Sequence, residues 1–482
     1  MENIHTQPVD INGKHFKRAG FVLVLMVGTF LTIINQTLLV TALPKIMIDL
    51  DINANHAQWL ITAFMLISGI MIPISAFLLN LITNRGLFFG AMGSFAVGTV
   101  ICALSTTFST LLVGRVIQAI GSGLMIPLMQ TLIFLVFPAN RRGEAMGLVG
   151  IVIAFSPAIG PTLSGWIVDN YDWHYLFYII LPIVGMNILL AFLYMKNIIN
   201  VTKAKIDIFS IILSSLGLGS LLYGISIAGN RGWENNVVFT SCVIGLVVIA
   251  IFSHRQLKLA QPVLELRVFK SRTFTLSTVI VSIIFMTMIG SEILLPIYTQ
   301  SIQGYSAFQS GLILLPGALV LGIISPIAGK IFDKYGIKKI SMLGMFILSL
   351  ATFPFLLLTK DTPIWWIICL YSLRMLGMGL VMMPLATAGI NALPNRLISH
   401  GSAINNTVRQ VFASLGAAIM VGVMSATVAG YSSNHPEKSE DVSLLALLDG
   451  LNHGFLSAFI LIILAFVLSF FIKPPTDTRK EE

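Results

Sequence analysis

Long apolar runs separated by short polar segments dominate the chain, and each run contains at most one charged residue. A helix needs about 20 apolar residues to cross the hydrocarbon layer of a bilayer. Because the bilayer offers backbone groups no water, each run is predicted to be a helix. The runs predict fourteen spans, at 19–41, 59–82, 87–105, 109–136, 145–168, 174–195, 208–229, 236–253, 273–298, 308–329, 339–359, 364–389, 402–428 and 452–472.

Composition supports an integral membrane protein. The 482 residues are 56% hydrophobic and 10% charged, whereas soluble domains carry about 25% charged residues. The net charge of +9 comes from basic residues scattered between the apolar runs, which does not indicate nucleic-acid binding. The three cysteines have no metal-ligand or disulfide spacing.

The basic residues also predict the orientation. Most of the 29 lysines and arginines fall in every second loop, as expected for cytoplasmic loops. The loops between hold only Lys45, Arg231, Lys360 and Lys438. Both termini are therefore predicted to be cytoplasmic. The first apolar run is too long for a cleaved signal peptide and is interpreted as the first span.

Two segments recur at matching places and indicate an internal repeat. The sequence GKIFDKYGIKK, at 329–339, follows the tenth span and has a weaker copy at 80–86 after the second. Arg115 and the glycines after it in span 4 are echoed by Arg374 and its glycines in span 12. We therefore predict a six-helix bundle at 1–200, two additional helices at 201–262, and a second six-helix bundle at 263–482.

These segments resemble the major facilitator superfamily, and within it the fourteen-helix drug:proton antiporters. LLVGRVIQAIGSGLMIP is similar to the family's fourth-helix motif, and SPAIGPTLSGWIVD is similar to the fifth-helix motif associated with export. The resemblance implies an all-α fold with two bundles around a central cavity. It also implies proton-coupled export of small amphiphilic compounds, as in multidrug efflux, through a bacterial cytoplasmic membrane, with the proton gradient in place of a cofactor.

Glu292 is the candidate proton-coupling carboxylate, since it is the one acidic residue placed well within a span. A charged carboxylate is costly in hydrocarbon, which favours proton uptake there. The alternative is a structural carboxyl near the outer end of span 9. Arg115, matched to the family motif, is the predicted partner in proton coupling, with snorkelling to the outer headgroups as the alternative.

Other polar residues within the spans are candidates for the substrate cavity. Many relatives carry Asp where this chain has Asn35, so a second carboxylate is missing and divalent cations are unfavoured as substrates. Asn35 and Gln36 are expected either to bind substrate or to join helices. The full set predicted for the cavity is Asn35, Gln36, Gln118, Arg374, Asn405, Asn406 and Arg409.

Two further motifs are predicted to control conformational change. Prolines remove backbone donors and glycines allow close helix approach, which predicts a hinge and seal in span 5 at Pro157, Gly160, Pro161 and Gly165. The segment after span 10 is predicted to form salt bridges that hold one conformation, through Gly329, Asp333, Lys334 and Gly336.

Alternative functions remain open at this point. The same fold also serves dedicated exporters of one metabolite, lipid or signalling molecule. A membrane-embedded enzyme or sensor is a more remote alternative, because the eight histidines lie in loops or at span ends and form no catalytic cluster. We expect a monomeric transporter, not an enzyme, with small molecules, protons and the lipid bilayer as its partners and no metal site.

Overall fold

A computed structural model describes residues 8–201, 207–434 and 440–472. In these ranges the chain forms fourteen α-helices joined by short loops and brief 3-10 or π segments. In chain order they are α1 (Arg18–Asp49), α2 (Ala54–Leu81), α3 (Asn84–Ala103), α4 (Phe108–Val136), α5 (Arg142–Asn170), α6 (Tyr175–Tyr194), α7 (Ile208–Arg231), α8 (Asn236–Lys258), α9 (Arg272–Ile297), α10 (Ala307–Tyr335), α11 (Ile337–Thr352), α12 (Ile364–Asn391), α13 (Ile398–Asn434) and α14 (Glu440–Ser469).

Each predicted span coincides with one of these helices, which confirms the all-α prediction. Within the described ranges, thirteen helices are long and apolar enough to cross a membrane. The remaining long helix is α5, with 29 residues. Several helices run beyond the predicted spans, and α10 continues to Tyr335. The segment predicted to be a loop after span 10 is therefore mostly the last turns of α10.

Polar side chains at the ends of the apolar runs define where several helices begin. Thr107 and Ser306 cap α4 and α10 in capping boxes, which satisfy amide groups that have no partner within the helix. Asp207 caps α7 and also pairs with Arg255 of α8. Burial alone would raise the pKa of Asp207, but hydrogen bonds from Ser210 and Arg255 outweigh it and lower that pKa. Helix α10 ends at Gly336, whose φ of 76° favours glycine.

The helices of the two predicted bundles meet along two seams. One seam joins α5 to α10, and the other joins α2 to α13. Glycines allow the first pair to approach closely: a Cβ atom at Gly147 would lie 2.6 Å from the carbonyl oxygen of Ser325. Helices α7 and α8 pack on each other, and α7 also contacts α2 and α13. Helix α7 of the additional pair therefore covers the second seam.

The molecule has two faces at the helix ends. We call the end at which α1 begins and α14 ends the termini face, and the opposite end the far face. Because the helices alternate in direction, α4, α10 and α12 end at the termini face, and α5 and α13 begin there.

Candidate functional site

Arg115 lies at the centre of a buried polar cluster in the first bundle. Its guanidinium donates to the side-chain oxygen of Asn35, to Gln118 Oε1 at 3.1 Å and to the carbonyl oxygen of Leu60 at 3.3 Å. The ring of Phe64 lies below it, 4.1 Å from the guanidinium carbon to the ring centroid. Arg115 is fully buried. It faces the protein interior, and snorkelling towards headgroups is not observed.

Asn35 and Gln118 thus serve as partners of Arg115. Gln118 also donates to Thr99 Oγ1 at 2.9 Å, which fixes its amide. Gln36, the neighbour of Asn35, is half-buried, and the described residues provide it with no hydrogen bond. Of the polar residues predicted in this part of the cavity, Gln36 is the one whose side chain is left available.

Glu292 and Arg374 form the corresponding site in the second bundle. Glu292 lies ten residues before the end of the π segment that follows α9, and Arg374 lies ten residues after the start of α12. At 1.5 Å per residue both are about 15 Å from the far end of their helices. They share a depth inside the bundle, on two helices, α9 and α12, that pack against each other.

The guanidinium of Arg374 is incompletely paired. One nitrogen donates to the carbonyl oxygen of Thr287 at 2.9 Å, whereas Nε and Nη1 have no partner among the described residues. Arg374 is only 1% exposed, while Glu292 is half-buried. Buried N–H groups without acceptors are costly. Arg374 therefore provides two donors that a carboxylate or a bound molecule can satisfy.

Arg409, the third arginine within the spans, lies over an aromatic ring. Its guanidinium carbon is 4.7 Å from the ring centroid of Phe285 in α9. The described residues hold no carboxylate against it. Asn405, one turn earlier on α13, is buried as well. Together the three arginines and Glu292 give the interior of the spans an excess of positive charge.

At the termini face, Asp333 of α10 binds the first turn of α5. Its two carboxylate oxygens accept hydrogen bonds from the backbone amides of Gly143 and Glu144, both at 2.9 Å. A carboxylate at a helix N-terminus also interacts favourably with the helix dipole. Lys330 adds a salt bridge to Glu144 at 3.4 Å.

This arrangement differs in one respect from the salt bridges predicted for the segment. Asp333 contacts backbone amides instead of a basic side chain, because α10 continues far enough to bring it against the first turn of α5. Gly329 lies against Gly143, where a Cβ atom would contact the carbonyl carbon at 2.5 Å. Lys334 packs over the ring of Tyr335, and Gly336 ends the helix.

Two further sets of hydrogen bonds close the termini face. Gln130 of α4 accepts from Asn406 Nδ2 at 2.7 Å and from Ser402 Oγ at 3.1 Å, both on α13. Arg142, at the start of α5, donates to Asn391 Oδ1 at 3.1 Å and to Asn395 Oδ1 at 3.4 Å. These bonds join the two bundles, so Asn406 connects the bundles here and does not stand free in a cavity.

The fifth-helix motif lies in a continuous helix, α5. Gly160 lies against α1, where a Cβ atom would contact Thr37 Cβ at 2.9 Å, so the motif packs within the first bundle at this point. Gly165 has no atom within 4 Å of an added Cβ. The side chains of Pro157 and Pro161 lie outside the described residues, and the predicted hinge remains a prediction.

Sequence reasoning missed several residues of these sites. Gln130 is a single amide within the apolar run LMQTLIF, a signal that could have identified it. Arg142, Asn391 and Asn395 lie at helix ends among other loop residues, and nothing local distinguishes them. Thr287 contributes a backbone carbonyl, which no side-chain pattern reveals.

Comparison with known proteins gives consistent results. The family model described as Major Facilitator Superfamily matches residues 25–417. The MFS-type transporter YcnB of Bacillus subtilis is 47% identical over 472 residues, covering 98% of each chain. The lincomycin resistance protein LmrB of the same organism is 38% identical over 463 residues, covering 95% of this chain and 97% of that protein. The crystal structure of the human organic anion transporter MFSD10 has a similar fold, with a TM-score of 0.64 at 13% identity, covering 94% of this chain and 99% of that one.

Proposed function

The chain belongs to the major facilitator superfamily, and on that premise we propose that it is a proton-coupled antiporter that exports small amphiphilic compounds. Its family makes it a multi-pass membrane transporter and not an enzyme. The relative named for lincomycin resistance supports export of amphiphilic compounds of that kind. The Bacillus relatives support a location in a bacterial cytoplasmic membrane.

We take α5 as the fourteenth span, alongside the thirteen apolar helices. Fourteen crossings return the chain to the side on which it starts, and the basic loops favour the cytoplasm for that side. The termini face then faces the cytoplasm and the far face the exterior. The two bundles are α1–α6 and α9–α14, with α7 and α8 as the additional pair.

The observation that carries the coupling proposal is the placement of Glu292 and Arg374 at one depth on two packed helices, with two guanidinium donors of Arg374 unpartnered among the described residues. When Glu292 is deprotonated, its negative charge offsets that of Arg374 within the low-dielectric interior. When Glu292 takes up a proton, Arg374 loses that compensation. A substrate that competes for the same site favours one protonation state over the other, and this competition is what exchange requires.

The closed termini face supports alternating access. Hydrogen bonds from Asp333, Gln130 and Arg142 join the bundles there, so these contacts must break before the site can open to the cytoplasm. One proton entering down a potential of 100 mV supplies about 2.3 kcal/mol. That energy is comparable with the loss of a few such hydrogen bonds at about 1 kcal/mol each.

Transport by purified protein in lipid vesicles tests the proposal. The panel consists of cationic and neutral amphiphiles: lincomycin, ethidium and nile red. We expect a pH gradient to drive their transport, and we expect transport to stop when the gradient is dissipated. Transport of the whole panel supports multidrug export, and transport of a single compound supports a dedicated exporter. Equal transport with and without the gradient would contradict proton coupling.

A further inference from the structure

The seam between α2 and α13 is covered by α7, and the packing there is uneven. At one level the helices touch: a Cβ atom at Gly69 of α2 would lie 2.6 Å from Leu222 of α7. Ile225 and Ala418 belong to a small apolar cluster that joins α7 to α13. Around these contacts the helices separate and leave two pockets.

The first pocket is a groove between α2 and α7 on the outside of the molecule. Its volume is about 430 Å³, and it is lined by residues from Trp59 to Ile70 of α2 and from Ser215 to Tyr223 of α7. The side chains of Trp59 and Tyr223 stack across the end of the groove nearer the far face, with ring centroids 5.8 Å apart. Trp59 and Leu216 in its lining are 42% and 57% exposed, so the groove opens onto the outer surface of two helices that are apolar enough to span a membrane.

The second pocket lies behind the groove, between α2, α7, α9 and α13. Its volume is about 290 Å³. Leu66 lines both pockets, so they adjoin at this side chain. Ile293, the residue after Glu292, lines the inner pocket. The two pockets thus form a path from the outer surface to α9, the helix that carries Glu292.

The chemistry of the lining suits an amphiphile. Neither pocket has a charged lining residue. The walls are mainly apolar, with hydroxyl or amide groups at Ser215, Ser220, Thr62 and Gln58. An apolar pocket with a few hydrogen-bonding groups is typical of small-molecule sites. A molecule with net charge would gain no ion pair here, whereas a neutral amphiphile would bury its apolar surface.

The position of the path indicates the step it serves. Trp59 and Gln58 lie in the first turns of α2, at the far face, and Gly229 lies near the end of α7 at the same face. The termini face is closed in this conformation by the contacts of Gln130, Asp333 and Arg142. The inner pocket therefore lies in the half of the molecule that is not sealed. The groove runs from Trp59 near the far face to Ser215, seven residues from the start of α7 and about 10 Å from the termini face.

We propose that the α2–α7 groove and the pocket behind it form a lateral exit, through which a neutral amphiphile passes from the inter-bundle site into the surrounding bilayer. This inference rests on the proposed export function. It assigns a role to the additional helices, since α7 forms one wall of the path. Leu66 separates the two pockets and acts as the gate between them.

Two substitutions narrow the path from opposite walls. Leu66→Trp places a larger side chain between the two pockets. Gly219→Leu fills the groove, since a Cβ atom at Gly219 points at Ile70 Cδ1 from 3.3 Å. Gly185→Leu on α6 is the matched control, because nothing lies within 4 Å of a Cβ atom there. In vesicles we expect both narrowing variants to slow nile red transport about tenfold, equivalent to about 1.4 kcal/mol in the barrier, with the control at the wild-type rate.

Photolabelling provides a readout that does not depend on transport. A long-chain alkyl alcohol carrying a diazirine should label peptides of α2 and α7, nile red should compete with it, and Leu66→Trp should reduce the labelling. Uniform labelling of all lipid-facing helices without competition would show that ordinary membrane lipid fills the groove, and would overturn the exit. Wild-type transport rates in both narrowing variants would overturn it too.

The two proposals fail in different ways. If the wild-type protein shows no gradient-driven transport but nile red still competes with photolabelling of α2 and α7, proton-coupled export is rejected and the groove remains as a binding site. Gradient-driven transport that is unaffected by both narrowing variants would reject the exit and leave export standing. Leu66→Ala, which widens the gate, checks for misfolding because it should keep at least the wild-type rate.

Discussion

The three arginines within the spans differ in how completely their guanidinium groups are paired. Arg115 has four acceptors and an aromatic ring, Arg374 has one backbone carbonyl, and Arg409 has an aromatic ring. An arginine at the centre of a membrane helix costs about 3 kcal/mol on insertion scales. Arg115 is therefore the most completely paired of the three, and its part in proton coupling stays a prediction. Among the described residues, Arg374 and Arg409 keep more unpaired donors, and Arg374 is the one at the depth of Glu292.

The pairing of Asn35 with Arg115 predicts its mutational behaviour. Asn35→Ala removes a buried acceptor of a charged donor, and we expect the free energy of unfolding to fall by about 2 kcal/mol. Asn35→Asp retains the acceptor and adds an opposite charge, so it should be at least as stable as the wild type. Thermal unfolding of the purified protein in detergent measures both. An Asp variant as unstable as the Ala variant would contradict the pairing.

Residue types could be predicted better than residue partners. Glu292 and the three arginines are evident from the sequence because a charge within an apolar run is conspicuous. The contact of Asn406 with Gln130 is not, since it joins residues 276 positions apart on different bundles. Which helices meet across the bundles is decided by tertiary packing, and a single sequence holds no direct record of it.

At the scale of elements, the start of α5 is held by the end of α10. The first amides of a helix have no partner within it, and the carboxylate of Asp333 supplies acceptors for two of them. The glycines at 143 and 329 let the backbones approach closely enough for this contact. The repeat motif could be recognised from the sequence, but its target could not, because α5 belongs to the other bundle.

Removing this carboxylate is expected to open the termini face. Asp333→Ala should cost the closed conformation about 1 kcal/mol, which corresponds to about a fivefold shift in a two-state population. Spin labels at the exposed positions Asn140 and Lys338, on opposite bundles, report the opening as longer distances.

Asp207→Ala is the matched control for this measurement. Asp207 also caps a helix, but its partners Ser210 and Arg255 both lie in the α7–α8 pair. Its removal should leave the distance between the labels unchanged. Equal distance distributions for Asp333→Ala and the wild type would show that Asp333 does not hold the bundles together.

At the scale of the whole molecule, the described contacts fit one conformation of a transport cycle. The bundles are joined at the termini face, while two pockets lie along the α2–α7–α13 seam, the inner one towards the far face. Hydropathy and basic residues predict the helices and their order well, because a bilayer enforces both. The pockets could not be predicted, since they arise where particular side chains fail to fill the space between helices.

The central claim is that Glu292 exchanges its proton against the transported compound. Adding the compound that is transported best in vesicles to purified protein in weakly buffered detergent tests it directly. We expect the wild type to release on the order of one proton per bound molecule. Glu265→Gln, which removes a carboxylate at the termini face, is the control and should release the same number. Glu292→Gln should bind the compound and release none, and undiminished release by that variant would contradict the account.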